Sequence, residues 1–161
     1  MRIYYDEGLE ITIEMEKDWH VIEDKDAMKS HFGFTVEEAE VTPFVLIKMV
    51  DEKLVDSAMV TVDMVLYEGD EAYEKGLAAN VQAVLDGGAK EVSRTKSFTR
   101  DGARIDHIVF QGTEGEYVSQ RFVHINDLLV CFSIDVDSPG NAPDREIMNM
   151  ILSMKLVPDE D

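Results

Sequence analysis

The chain has 161 residues, 45% apolar and 30% charged, which fits one soluble domain burying about 70% of its unfolded surface. Thirty-four acids against fifteen bases give a formal net charge of −19, which excludes nucleic acid and anionic membrane surfaces as partners. The acidity serves solubility first, and a protein partner recognised through it is expected to be basic.

No run approaches the ~18 consecutive apolar residues of a membrane span. The opening Met1-Arg2-Ile3-Tyr4-Tyr5 leads into polar sequence and not into an apolar leader. The single cysteine, Cys131, excludes an internal disulfide and fits a reducing compartment, so a cytoplasmic location is expected.

In chain order, Met1–Tyr5 and Glu10–Glu16 read as a hairpin around Asp6-Glu7-Gly8-Leu9, with Ile11, Ile13 and Met15 on one face. Trp19, the only tryptophan, is expected to anchor the core at a strand end. A short helix follows through Ala27, Met28, His31 and Phe32, capped by Asp24 or Asp26. Thr35-Val36-Glu37-Glu38 has the form of a capping box, and Pro43 ends that segment. Phe44–Val50 and Ser57–Tyr67 read as strands separated by Asp51-Glu52-Lys53. Asp63, inside the second apolar run, either faces solvent at a sheet edge or caps a neighbouring turn.

Glu71–Leu85 carries the strongest helical pattern, with Tyr73, Leu77, Val81, Val84 and Leu85 at three-and-four spacing. Asp70 is its expected cap and Gly87-Gly88 its stop. Gly76 inside it costs up to ~1 kcal/mol relative to alanine, which predicts close packing against a strand. Lys90–Arg100 reads as a polar strand holding four of the fifteen bases.

Three strands then form a meander: Ala103–Gln111, Glu116–Ile125 and Leu128–Val136. The last alternates cleanly between apolar and polar residues. With Gly112-Thr113-Glu114-Gly115 as the first loop, Gln111 faces Glu116. Asp106 then meets Arg121, Phe110 meets Tyr117, Ile105 meets Phe122 and Val109 meets Val118. Ile105, Val109, Val118 and Phe122 would share one face, and Ile108, Phe110, Tyr117 and Val123 the other. Both faces are apolar, so both should be covered. Asn126-Asp127 makes the second reversal. Pro143–Met154 closes the chain as a helix with Ile147, Ile151 and Met154 inward, and the tail from Pro158 is expected to fray.

The residues suggest no reactive centre. There is no HxH, HExxH or His/Cys cluster for zinc, and the register sets His107 opposite Gln120 and His124 opposite Ala103. The pairs Glu14/Glu16 and Asp135/Asp137 lack the spacing of a calcium loop. No serine sits in a GxSxG elbow, and Cys131, mid-strand among apolar neighbours, is expected to be an inert buried thiol. No catalytic residue, metal or cofactor is expected.

The order of elements is itself informative: an opening strand pair ending at Trp19, further strands, and the long helix ending in glycine. A meander entered through Gly102-Ala103 follows, then a last helix reading Ile151-Leu152-Ser153-Met154-Lys155-Leu156. This order resembles the PsbP-like superfamily, with its DcrB-like bacterial proteins and Ran-release-factor relatives, although Lys17-Asp18 replaces the family's Pro-Gly before the tryptophan. The resemblance implies an α+β fold, an antiparallel sheet sandwiched by helices. It also implies a non-enzymatic role, binding partner proteins as a chaperone-like adaptor or accessory subunit.

The expected function is therefore a soluble, cytoplasmic protein-binding or adaptor domain. The narrower reading is a chaperone- or immunity-type protein of a secretion-associated system, with a basic client. Candidate binding residues are Arg94, Lys96 and Arg100 on the basic strand, and Trp19 were it exposed; the competing reading of that strand is an edge protected by charge. The rival function is a small-molecule or metal binder, or an enzyme, using a cleft between the sheet and the Asp24–Glu40 segment.

Overall fold

The structure is a computed structural model that describes residues 2–63 and 65–157. Met1 and Met64, both placed in strands above, and the tail from Pro158 lie outside the described residues.

The elements in order are β1 (Arg2–Asp6), β2 (Ile11–Met15), β3 (Trp19–Ile22), α1 (Lys25–Phe32), α2 (Val36–Glu40), β4 (Phe44–Val50) and β5 (Lys53–Val62). They continue with α3 (Gly69–Asp86), β6 (Lys90–Phe98), β7 (Arg104–Gln111), β8 (Tyr117–Ile125), β9 (Leu128–Val136), α4 (Ala142–Leu152) and β10 (Lys155–Leu156). A seven-stranded sheet runs β3-β4-β5-β9-β8-β7-β6, and a small sheet runs β1-β2-β10. Neighbouring strands in both are antiparallel. This is the α+β class expected, and the meander β7-β8-β9 lies within the large sheet.

Both faces of the meander are covered. On one side Ile105, Val123, Phe132 and Ile134 pack with Ile147, Met150 and Ile151 of α4 and with Ile11 and Ile13 of the small sheet. On the other, Ile108, Phe110, Phe122, Leu129 and Cys131 pack under Tyr73, Leu77 and Val81 of α3. Each fully buried phenylalanine or isoleucine contributes about 1.5–3 kcal/mol, so two such layers dominate stability.

The register of β7 against β8 is one residue away from the expected one. Gln111 faces Tyr117, Asp106 faces Phe122 and Ile105 faces Val123. The cause is the loop: Gly112 N–H donates to the Glu116 carbonyl at 2.8 Å and Gly115 N–H to the Gly112 carbonyl at 3.1 Å. Gly115 takes φ +88°, so the turn consumes one residue more than a four-residue break. The slip turns β8 over relative to the expectation: Phe122 joins Ile108 and Phe110 under α3, and Val123 joins Ile105 under α4. The expected Asp106–Arg121 pair does not form. His107 faces Arg121 and not Gln120, while His124 pairs with Leu129 across β8 and β9.

Local signals elsewhere hold. Asp24 caps α1 by accepting from Asp26 N–H. Thr35 and Glu38 form a reciprocal capping box on α2. Asn141 caps α4, with a proline in its first turn. Asp51 and Glu52 both adopt left-handed φ, of 51° and 64°. They make a tight turn that pairs Lys53 with Val50, so β5 begins at Lys53 and not at Ser57.

The chain leaves the sheet after Val62. The half-buried Asp63 there accepts from the Tyr67 hydroxyl at 2.8 Å and from Asn80 Nδ2 at 3.2 Å, so it is tied to two side chains, which is neither of the two alternatives expected for it. The α3 helix starts at Gly69 and makes no side-chain cap bond, in place of the expected Asp70 cap. Gly76 is closely packed, but against a loop and not a strand: a Cβ there would stand 2.5 Å from Tyr67 Cε1.

Candidate functional site

The four sequence-derived binding residues fall in three places. Trp19 is fully buried in the core and offers no surface. Arg94 and Lys96 lie on β6, the outermost strand of the large sheet. Arg94 makes a two-pronged contact with Glu91, Nη2 to Oε1 at 2.6 Å and Nε to Oε2 at 3.1 Å. The Lys96 ammonium sits 5.7 Å from the centre of the Phe98 ring. Both line a hollow of about 450 Å³ against α3, with Leu77, Arg104 and Asp106. Arg100 stands apart, 3.8 Å from Glu14, in a hollow shared with Met15 and Asn149.

Behind the β6 hollow, on the α3 side, is a closed polar network. The buried Tyr73 hydroxyl donates to Asp106 Oδ2 at 2.9 Å, with the Phe122 carbonyl at 3.1 Å. Arg104 holds the same carboxylate through Nε at 2.9 Å, reaches Glu74 through Nη1 at 2.9 Å, and lies 5.1 Å over the Tyr73 ring. His124 stacks on that ring at 4.7 Å. Burial, then the charge of Asp106, raises the Tyr73 hydroxyl well above its ordinary pKa. Such a network holds α3 on the sheet.

The α4 side is built differently. Arg121 and Asp144 form an ion pair at 2.7 Å with side chains 3% and 1% exposed. Asp144 also accepts from Gly140 N–H at 2.8 Å. Burial works to raise the Asp144 carboxyl, but the Gly140 N–H and the Arg121 charge outweigh it and hold the group below the usual carboxylate range. Ser119 Oγ lies 2.7 Å from His107 Nε2 and 3.4 Å from Arg121 Nη1. Burial and then the Arg121 charge push His107 down to about 4, so its ring is neutral at pH 7.

His107, Arg121, Gly140 and Asp144 line an open cavity of about 670 Å³ with Ala142, Arg145 and Met148. Sequence reasoning missed Arg121 and Asp144 as partners because it gave Arg121 to Asp106. The helix start at Pro143 was legible, but nothing in it tells which strand residue Asp144 will meet.

Two further surfaces bear on function. Beside the end of the Asp24–Glu40 segment, Val41, Thr61, Asp63, Asn80 and Cys131 line a hollow of about 410 Å³. Burial and then the Asp63 charge push the Cys131 thiol up to about 12, which makes it inert at neutral pH. At the far end of the sheet, Leu54, Val55, Asp56, Met59, Ser133 and Asp135 line another hollow of about 410 Å³. Leu54 and Val55 are 52% and 53% exposed. The Asp56 carboxyl is raised, first by burial and further by the charges of Asp137 and Asp135. Among the described residues, no group of three or more His, Cys, Asp or Glu side chains is placed to hold a metal ion.

No family model matches the chain, and no curated protein matches it. Solved structures do. The solution structure of the cyanobacterial PsbP protein, CyanoP, of Synechocystis superposes with a TM-score of 0.58 at 9% identity, covering 96% of this chain and 91% of that one. A crystal structure from Bacteroides thetaiotaomicron superposes with a TM-score of 0.50 at 15% identity over 96% of this chain. This chain spans 47% of the length of that second protein. Among the described residues, no helix is long and apolar enough to cross a membrane. At these identities the likeness establishes architecture alone: the fold is PsbP-like.

Proposed function

We propose that this is a protein-binding module that acts by contact and not by catalysis, taking a basic, partly apolar segment of its partner at the far end of the sheet. The observation that carries the reading is the joint exposure of Leu54 and Val55 beside the carboxylates of Asp56 and Asp135. Exposed aliphatic side chains in a concave, acid-rimmed surface suit an amphipathic cationic segment. A net charge of −19 steers such a partner in and repels acidic competitors.

In this reading the module is a soluble chaperone- or adaptor-type protein of the cytoplasm. The bases of β6, Arg94 and Lys96, guard an open sheet edge against unwanted pairing.

A photo-reactive residue placed at Leu54 in the full chain tests this in native lysate, with a control at exposed Glu71 on α3. The expected result is a reproducible, salt-sensitive cross-link from Leu54 alone to a partner segment rich in lysine or arginine, lost in the double variant Asp56→Lys/Asp135→Lys. Equal cross-linking from both positions, or a partner segment without basic residues, would overturn the reading.

A further inference from the structure

Arg121 is the most deeply buried cation on the α4 side, and its guanidinium is incompletely used. Nη1 donates to Asp144, while Nε is enclosed and has no hydrogen-bond partner among the described residues. A buried charged donor left unmade is costly, and native structures seldom keep one without something to meet it. Arg121 lines the open cavity of about 670 Å³ below the start of α4, a size suited to a small molecule.

The charged side chains that line the cavity balance, Arg121 and Arg145 against Asp144 and Glu146, and Lys48 behind Glu146 tips the neighbourhood to one net positive charge in an otherwise acidic chain. Asp144 is spoken for by Arg121 and by Gly140 N–H. Glu146 is held by Lys48 at 2.6 Å. Arg145, exposed, makes no salt bridge among the described residues. The ring of His107 contributes no charge, and Met148 and Ala142 give the wall an apolar stretch.

We propose that this cavity binds a small monocarboxylate with an apolar body, its carboxylate against the Arg121 guanidinium where that side chain borders the cavity and its tail against Met148 and Ala142. The planar guanidinium presents paired donors that match a carboxylate, and Arg145 at the mouth adds attraction without needing burial. The site is independent of the Leu54 surface, and either assignment stands without the other.

The full chain, labelled with 15N, is titrated with sodium hexanoate, acetate, hexanamide and inorganic phosphate. The readouts are the Arg121 side-chain Nε–H signal and the backbone amides from Gly140 to Asn149. Hexanoate is expected to shift both saturably, with acetate weaker by at least about tenfold for want of the buried methylenes. Hexanamide should be weaker by a similar factor. Because replacing Arg121 threatens the fold, the variant is Arg145→Glu at the exposed rim, expected to weaken hexanoate at least about threefold by reversing the rim charge.

Absence of a saturable Arg121 shift with hexanoate overturns the proposal. Hexanamide binding as tightly as hexanoate, phosphate binding in its place, or an unchanged hexanoate affinity in Arg145→Glu overturns the carboxylate assignment.

Discussion

The two faces of the meander bury the same pair of chemical types, a guanidinium and a carboxylate, and use them to opposite effect. Under α3, Arg104 and Asp106 sit two residues apart on one strand and are completed by Tyr73 and Glu74. Arg104 keeps 12% exposure, so part of its hydration survives. Under α4, Arg121 and Asp144 come from distant parts of the chain and are sealed to 3% and 1% exposure, yet one guanidinium nitrogen finds no partner among the described residues. A closed polar network fastens a helix; an open one of the same composition is where a ligand can be received. Burial alone does not separate the two roles. The count of satisfied donors does.

The largest effect that can break this comparison comes from Arg121→Leu. It leaves Asp144 buried without its partner and is expected to cost about 3–5 kcal/mol in urea unfolding, whereas Arg121→Met/Asp144→Leu together should recover most of the loss. A single variant as mild as the double one would mean the pair is not desolvated.

The second effect is pH-dependent. His107 is held at about 4 in the folded protein against 6.5 for an unperturbed histidine, so the unfolded chain binds the additional proton between those values. Its contribution is therefore complete above pH 6.5 and is lost as pH falls toward 4, by up to about 3 kcal/mol. Replacing His107 with glutamine should flatten that part of the stability profile relative to the parent. A profile of unchanged slope would show that this ring is not shielded.

The smallest effect tests the α3 side. Tyr73→Phe removes one hydrogen bond from a network that retains Arg104, and is expected to cost about 1–1.5 kcal/mol in the same unfolding measurement. A loss as large as that of Arg121→Leu would erase the distinction between the faces.

Much of this architecture was legible in the residues. The capping box at Thr35, the proline that opens the last helix, the alternation of Leu128–Val136 and the stripe of Tyr73, Leu77 and Val81 are local signals, and local chemistry decides them. The pairing of β7 with β8 was not legible, because two registers differing by one residue both match good partners. Asp106 with Arg121 looked persuasive on paper, and the left-handed backbone of Gly115 decides against it. The candidate cavity inherits that ambiguity: only the observed register turns Arg121 toward α4. Gly76 is a point of close approach, as its place inside a helix suggests, but its neighbour Tyr67 lies in a connection whose path no periodicity describes.

Cys131 offers a use of its own. Its thiol lies in the layer beneath α3, 8% exposed and chemically silent at neutral pH. Its small exposed fraction gives onto the hollow beside Asp63, so maleimide labelling of the unaltered chain is slow without any lifting of α3, and its acceleration with denaturant reports how that wall of the layer loosens. The protein carries a built-in probe at one wall of that layer, and cysteines engineered on the surface would react long before it is read.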